Sequence, residues 1–204
     1  MSEDAEQIIG LYRRHADAWD AARGRQPSNR PMEAGWLDQF LGLLPPRPPV
    51  LDIGCGSGVP ISRYLDRQEC DLTGVDSSPE MIAFCKARFP LQTWHVADMR
   101  RLSLGHVFDG LIAWDSFFHL CHDDQRRMFP IFRAHAAPRA TLMFTSGPDH
   151  GVAMGTLEGK PLYHASLNGA EYRALLVENG FHVVAHVVED PSCGRHTIWL
   201  AQFK

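Results

Sequence analysis

Three glycines alternate with single residues in V-L-D-I-G-C-G-S-G-V-P, positions 50–60, directly after a short apolar run. A glycine turn that leaves a parallel strand lets main-chain N–H groups and the next helix N-terminus approach a ligand closely. The G-x-G-x-G spacing of Gly54, Gly56 and Gly58 departs from the G-x-G-x-x-G of dinucleotide folds, which weighs against NAD. Asp52 precedes the first glycine by two residues inside an apolar strand end, where a carboxylate is costly unless it meets donors. The turn's backbone or a ligand would supply them. Two further acids close the next two strands. Asp76 stands 18 positions after Gly58 (76 minus 58), about the interval of a ribose-binding acid in nucleotide folds. Asp98 ends the third strand and is followed by Met99.

Candidate groups for proton removal are His119, His122, His150 and His164, because imidazole titrates near neutrality. His119 follows the fourth strand and His150 the fifth, which makes these two the expected catalytic residues. His164, in L-Y-H-A-S, belongs to a segment expected to roof the substrate, and Phe117 in W-D-S-F-F is expected beside the pocket. His119-x-x-His122-Asp123-Asp124 has metal-ligand residue types, yet at a loop entering a helix it reads as a capping cluster, and no metal is expected. His182 and His186 share one face of a strand and are expected on its exposed side.

These residues need a scaffold. Apolar positions at Ile8, Leu11, Tyr12, Ala16 and Trp19 predict a helix over 5–22, broken by G-R-Q-P-S-N-R-P at 24–31. A second helical run spans 32–44 and stops at P-P-R-P-P. Strands at 50–53, 71–76, 92–98, 108–115 and 140–146 then alternate with helices at 59–67, 79–88 and 123–137. That alternation predicts right-handed β-α-β units around a parallel sheet covered on both faces. Residues 147–167, rich in Gly, Pro and His, read as a long loop. N-G-A-E at 168–171 is a capping box opening the helix 172–179, which Gly180 ends. Two strands at 181–188 and 196–203, joined by a short turn, predict a closing antiparallel hairpin.

The bulk properties narrow the class. The 204 residues fit one domain, in which 1–44 form a helical cap on a core spanning 45–204. With 45% hydrophobic and 22% charged residues and a net charge of −4, the chain offers no basic face for long nucleic acid. Five cysteines without a C-x-x-C pair favour reduced thiols. The acidic, polar M-S-E-D-A-E-Q start is unlike a signal peptide, and no apolar run nears the roughly 20 residues of a membrane helix. A cytoplasmic protein is expected.

L-D-I-G-C-G-S-G, G-V-D-S-S-P-E-M, V-A-D-M and F-D-G-L-I-A-W-D-S-F-F-H-L, in this order and spacing, resemble class I S-adenosylmethionine-dependent methyltransferases over about residues 35–204. Within that superfamily the chain is similar to small bacterial proteins with a methyltransferase domain and no assigned substrate. The resemblance implies a Rossmann-like three-layer α/β sandwich whose seven-stranded, mostly parallel sheet has the order 3-2-1-4-5-7-6, with the last strand antiparallel. It implies that Asp52, Gly54, Cys55, Gly56 and Gly58 cradle the methionine part of S-adenosylmethionine. Asp76 with Ser77 would hold the ribose, and Asp98 with Met99 the adenine. Ala113 and Trp114 would border the sulfonium, although Trp114 is as readily a core residue. Cys55 is merely small. Tyr12 and Trp19, on one helical face, would line the substrate pocket or simply pack.

Neither an N-P-P-Y-type segment nor Pro-Cys follows the fourth strand, where W-D-S-F stands, so exocyclic-amine and cytosine-C5 chemistry on nucleic acid is not expected. The expected activity is in-line methyl transfer to a small molecule by a monomer or homodimer. The competing readings are a non-catalytic binder of S-adenosylmethionine or S-adenosylhomocysteine, a tRNA-modifying methyltransferase, and a nicotinamide oxidoreductase. The acceptor and the methylated atom are open at this point.

Overall fold

A computed structural model describes residues 3–24 and 30–204, so most of the proposed break at 24–31 lies outside the described residues. The elements run α1 (Glu3–Arg14), α2 (Ala16–Gly24), α3 (Ala34–Leu41), β1 (Pro49–Ile53), α4 (Ile61–Arg67), β2 (Asp71–Asp76), α5 (Pro79–Arg88), β3 (Thr93–Val96) and β4 (Phe108–Ala113). They continue with α6 (His122–His135), β5 (Ala136–Ser146), β6 (Gly151–Leu157), β7 (Lys160–Ser166), α7 (Gly169–Glu178), β8 (Phe181–Asp190) and β9 (His196–Phe203). Short 3-10 turns follow β3 at Met99–Arg101 and β4 at Phe117–His119.

Seven strands form one sheet in the order β3-β2-β1-β4-β5-β9-β8. Strands β1 to β5 pair in parallel, and β9 is antiparallel to both β5 and β8. With β6 and β7 left out of the count, this is the expected order. Those two strands correct the loop expected over 147–167. They pair antiparallel from Gly151 with Ser166 to Leu157 with Lys160, outside the main sheet. Glu158 and Gly159, both at positive φ, make the two-residue turn.

Alternation along the strands builds two cores. Leu111 and Ala113 of β4, Leu142 and Phe144 of β5, and Trp199 and Ala201 of β9 face α6 and α7. Their neighbours Ile112, Met143, Ile198 and Leu200 face α3 and α4. Period-two alternation in which both faces are apolar is the pattern of a sheet covered on both sides. Asp52 shares the face of Val50, toward α4, and this decides whom it meets.

The helix signals act as expected at two places. Ser78 caps α5, accepting from the Met81 N–H at 3.2 Å, with Pro79 in its first turn. Asn168 caps α7, accepting from the Glu171 N–H at 2.8 Å. The helix expected over 5–22 is two helices that meet at His15. Neither proline nor glycine stands at that junction, so composition did not mark it. α3 packs on the sheet with α4, whereas α1 lies along β7 and α5.

Candidate functional site

The carboxyl ends of β1 to β4 open into a cleft of about 840 Å³, the solvent at its mouth included, roofed by Ile8, Ile9, Tyr12 and Trp19 of α1 and α2. Its floor is the glycine turn. Gly54, Gly56 and Gly58 have φ of 77°, 53° and 77°, a left-handed conformation that only glycine adopts without strain. Gly54 also admits no side chain, since a Cβ there would lie 2.3 Å from the Ser116 Cβ. The N–H groups of Gly54 and Cys55 bond the Val75 carbonyl, tying the turn to β2. Gly54 and Gly56 line the cleft, but Gly58 faces the Phe89 ring and Cys55 lines a second cavity behind the turn.

Asp52 meets neither a backbone cradle nor the main cleft. Its carboxylate, 2% exposed, accepts the Ser62 hydroxyl of α4 at 2.6 Å. Burial, only partly offset by Ser62, pushes its pKa up to about 7. Asp76 lines the cleft, and its two oxygens accept the N–H groups of Gly56 at 3.0 Å and Ser78 at 2.8 Å. It therefore holds the turn's shape as well as its own position. Burial raises its pKa against those backbone donors. Ser77 and Met99 line the same end. Asp98 does too, but Arg100 holds both its oxygens, at 2.7 to 3.0 Å, which keeps the carboxyl below its ordinary value despite partial burial.

At the other end, His119 is the expected histidine that reaches the cleft. Its Nδ1 lies 2.8 Å from the Tyr163 carbonyl of β7, an oxygen that can only accept, so Nδ1 carries the hydrogen. Its Nε2 then accepts the Tyr12 hydroxyl at 2.9 Å. Burial drives the His119 pKa down to about 4, and the ring is neutral. The Tyr12 hydroxyl is held as the neutral phenol by its own burial. Tyr12 packs edge-on against Trp19 at 5.2 Å.

Besides Gly58, four expected site residues line neither cavity. His150 is exposed and stacks on His122 at 4.5 Å, because β6 turns the chain back outward immediately after it. Phe117 is wholly buried among Phe129, Phe132 and Phe144. Ala113 lies in the core under β4. His164 lies behind His119 at 4.9 Å and does not line the cleft. Trp114 is 4% exposed and borders the second cavity, with no partner for its indole N–H among the described residues. His186 is not on an open face, since it stacks on Trp199 at 3.5 Å. Among the described residues no group of three His, Cys, Asp or Glu is placed to hold a metal ion.

Sequence reasoning missed the ionic groups that hold the roof down. Arg88 of α5 grips both oxygens of Asp20 at 2.5 and 2.6 Å and donates to the Ser57 carbonyl of the glycine turn at 3.0 Å. Arg23 of α2 donates to Asp115 at 2.6 Å. These partners are 68 and 92 positions apart, so no local pattern could join them. Asp115, in the W-D-S-F segment just past β4, is the one member of these pairs whose position at a strand end is visible in the sequence.

Residues 50–139 match the family described as "Methyltransferase domain". The chain is 28% identical over 127 residues to dTDP-4-amino-2,3,4,6-tetradeoxy-D-glucose N,N-dimethyltransferase of Saccharopolyspora spinosa, covering 61% of this chain and 51% of that protein. It is 34% identical over 106 residues to magnesium-protoporphyrin O-methyltransferase of Rhodobacter capsulatus, covering 48% and 45%. The chain spans about half the length of these curated relatives. Among solved structures, an amino pentose methyltransferase of Micromonospora echinaspora with S-adenosylmethionine bound superposes with a TM-score of 0.73 at 21% identity, over 92% of this chain and 97% of that one. The sheet order, the glycine turn and the acids at successive strand ends accompany a methyltransferase-domain match over residues 50–139, and the chain has the Rossmann-like α/β fold of the solved methyltransferases.

Proposed function

We propose that this chain transfers a methyl group from S-adenosylmethionine to a small-molecule acceptor by direct in-line displacement. The observation that carries the reading is Asp76, anchored by Gly56 and Ser78 while facing a cleft of small-molecule size. The donor set fits the cofactor. Gly54 and Gly56 leave a backbone surface with no Cβ, Asp76 offers a carboxylate for ribose hydroxyls, and Met99 gives an apolar face for a base.

The cofactor supplies a methyl already activated on a sulfonium. The chain's own residues have to align the acceptor and exclude water. Tyr12 spends its hydrogen on His119, so its oxygen keeps lone pairs with which to hold an acceptor N–H or O–H group. Both nitrogens of His119 are engaged, which makes it an orienting partner of Tyr12. The α1–α2 roof closes the reacting end. The acidic balance of the chain and a roofed cleft of small-molecule size favour a small acceptor over a polynucleotide. Amino sugars, named in several relatives, head the acceptors to screen.

Calorimetry with S-adenosylhomocysteine and with NAD, followed by a mass-spectrometric screen of amines, phenols and carboxylates, tests the reading. Binding of S-adenosylhomocysteine and a gain of one methyl on an acceptor are expected. Tight NAD binding without response to S-adenosylhomocysteine would sink the proposal.

A further inference from the structure

Asp115 lies on the rim shared by the cleft and the second cavity of about 360 Å³. Its φ of 48° is a left-handed conformation rare outside glycine, the kind of strain that surrounding contacts must maintain. Two cations from distant segments hold its carboxylate. Arg23 of the roof donates to Oδ2 at 2.6 Å, and His196, the first residue of β9, places Nε2 2.9 Å from Oδ1. His196 Nδ1 lies 2.7 Å from the Cys193 carbonyl, which can only accept, so Nδ1 carries a hydrogen. Nε2 lies at ion-pair distance from a buried carboxylate oxygen that has no hydrogen-bond partner among the described residues, and the negative charge there favours a hydrogen on Nε2 as well. The pairing favours the imidazolium form of the ring, which lies 5.3 Å from Trp114. The ring lines neither cavity.

We propose that His196 is a positioning residue, whose imidazolium fixes the Asp115 carboxylate at the reacting end of the cleft and, through Asp115, the Arg23 end of the roof. The role rests on the methyltransferase reading above. The other groups around it leave this charge to Asp115. Glu33, 0% exposed and 3.9 Å from Arg23, is pushed by burial toward its neutral form. Burial likewise pushes the Cys193 thiol up to about 12. Asp190, across the hairpin, spends its carboxylate on Trp36 and Ser192.

The sign follows from which form the site favours. Burial lowers the His196 pKa, but Asp115, the Cys193 carbonyl and Glu33 outweigh it and raise the pKa above 6.5. The tether is complete below that raised pKa and is lost as pH rises through it. Above it, an unprotonated Nε2 would turn its lone pair on the carboxylate, and Asp115 would keep Arg23 alone.

The test uses the full chain. Imidazole resonances of the ligand-free protein are followed by NMR from pH 5 to 9, with His196→Asn for assignment, and S-adenosylhomocysteine binding is measured over the same range. His196 is expected to titrate above 6.5 in the wild type and to fall back in Asp115→Asn. Wild-type affinity is expected to drop roughly tenfold through that titration, as one close ion pair is lost. His196→Asn is expected to be weak and flat with pH. A His196 pKa at or below 6.5 that Asp115→Asn leaves unmoved overturns the proposal, and so does a His196→Asn variant that keeps the wild-type pH profile. If the wild type binds no S-adenosylhomocysteine at any pH, the methyltransferase reading fails. The Asp115→Asn titration then still decides whether the two residues are coupled, and it does not depend on the His196 variant folding.

Discussion

Asp52 carries a cost that can be measured. Its pKa is about 7 in the folded protein against an ordinary 3.8, so folding favours its protonated form. Between those values the unfolded chain has lost this proton and the folded chain has kept it. Stability therefore falls as pH rises, by about 1.4 kcal/mol per unit, to a total of roughly 4 kcal/mol above pH 7. Asp52→Asn cannot ionise, yet its amide oxygen can still accept the Ser62 hydroxyl. The other titrating groups are common to both proteins and cancel in the comparison, apart from the smaller coupling between Asp52 and Asp76. From pH 5 to pH 8 the variant should gain about 2–3 kcal/mol relative to the wild type, which is two units of the slope. Urea unfolding followed by fluorescence of the five tryptophans measures this, with equal m-values as the control. A stability difference between the two proteins that does not change with pH would refute the reasoning.

Other substitutions separate the roles assigned above. Asp76→Ala should weaken S-adenosylhomocysteine binding by about 1–3 kcal/mol, since ribose hydrogen bonds and the anchor on Gly56 are both lost; unchanged affinity in a titration would remove Asp76 from the site. His119→Ala should lower kcat/KM by at least about tenfold with little effect on cofactor affinity, because Tyr12 loses its orienting partner. His150→Ala, on the exposed turn, should leave both constants at wild-type values, and a loss of turnover there would contradict the placement of the cleft. Gly74→Ala should cost about 1–3 kcal/mol or more, because its Cβ would fall 2.1 Å from the Trp94 ring; a wild-type melting temperature would show that the β2–β3 packing differs.

The parts of this fold that the sequence announced are those written in local chemistry. Strand β2 and helix α5 fall at the residues expected, since a polar end, a Ser cap and a proline bound them. The glycine turn and the acids at 76 and 98 were legible because turn geometry and strand ends constrain residue type. The hairpin β6–β7 was not. Its glycines and Pro161 look like loop punctuation, and its outer strand leaves Val152 and Met154 exposed, so no clean alternation marks it. Asp52 was rightly read as needing a donor, but Ser62 could be found only once β1 and α4 were in register. Arg23, Arg88 and His196 were invisible for the same reason, since each acts on a residue far along the chain.

The carbonyl of Tyr163 gives the hairpin a bearing on the cleft, although none of the hairpin's residues lines it. It settles which nitrogen of His119 bears hydrogen, and through that the direction in which the Tyr12 hydroxyl points. A main-chain oxygen does this, so the side chain at 163 is not what matters to it. The hairpin's exposed positions, such as Val152 and Met154, are thus free to vary, while the height of its backbone over His119 is not. Shortening or lengthening this hairpin by one residue would rewrite the proton arrangement of the pocket without touching a single residue that lines it.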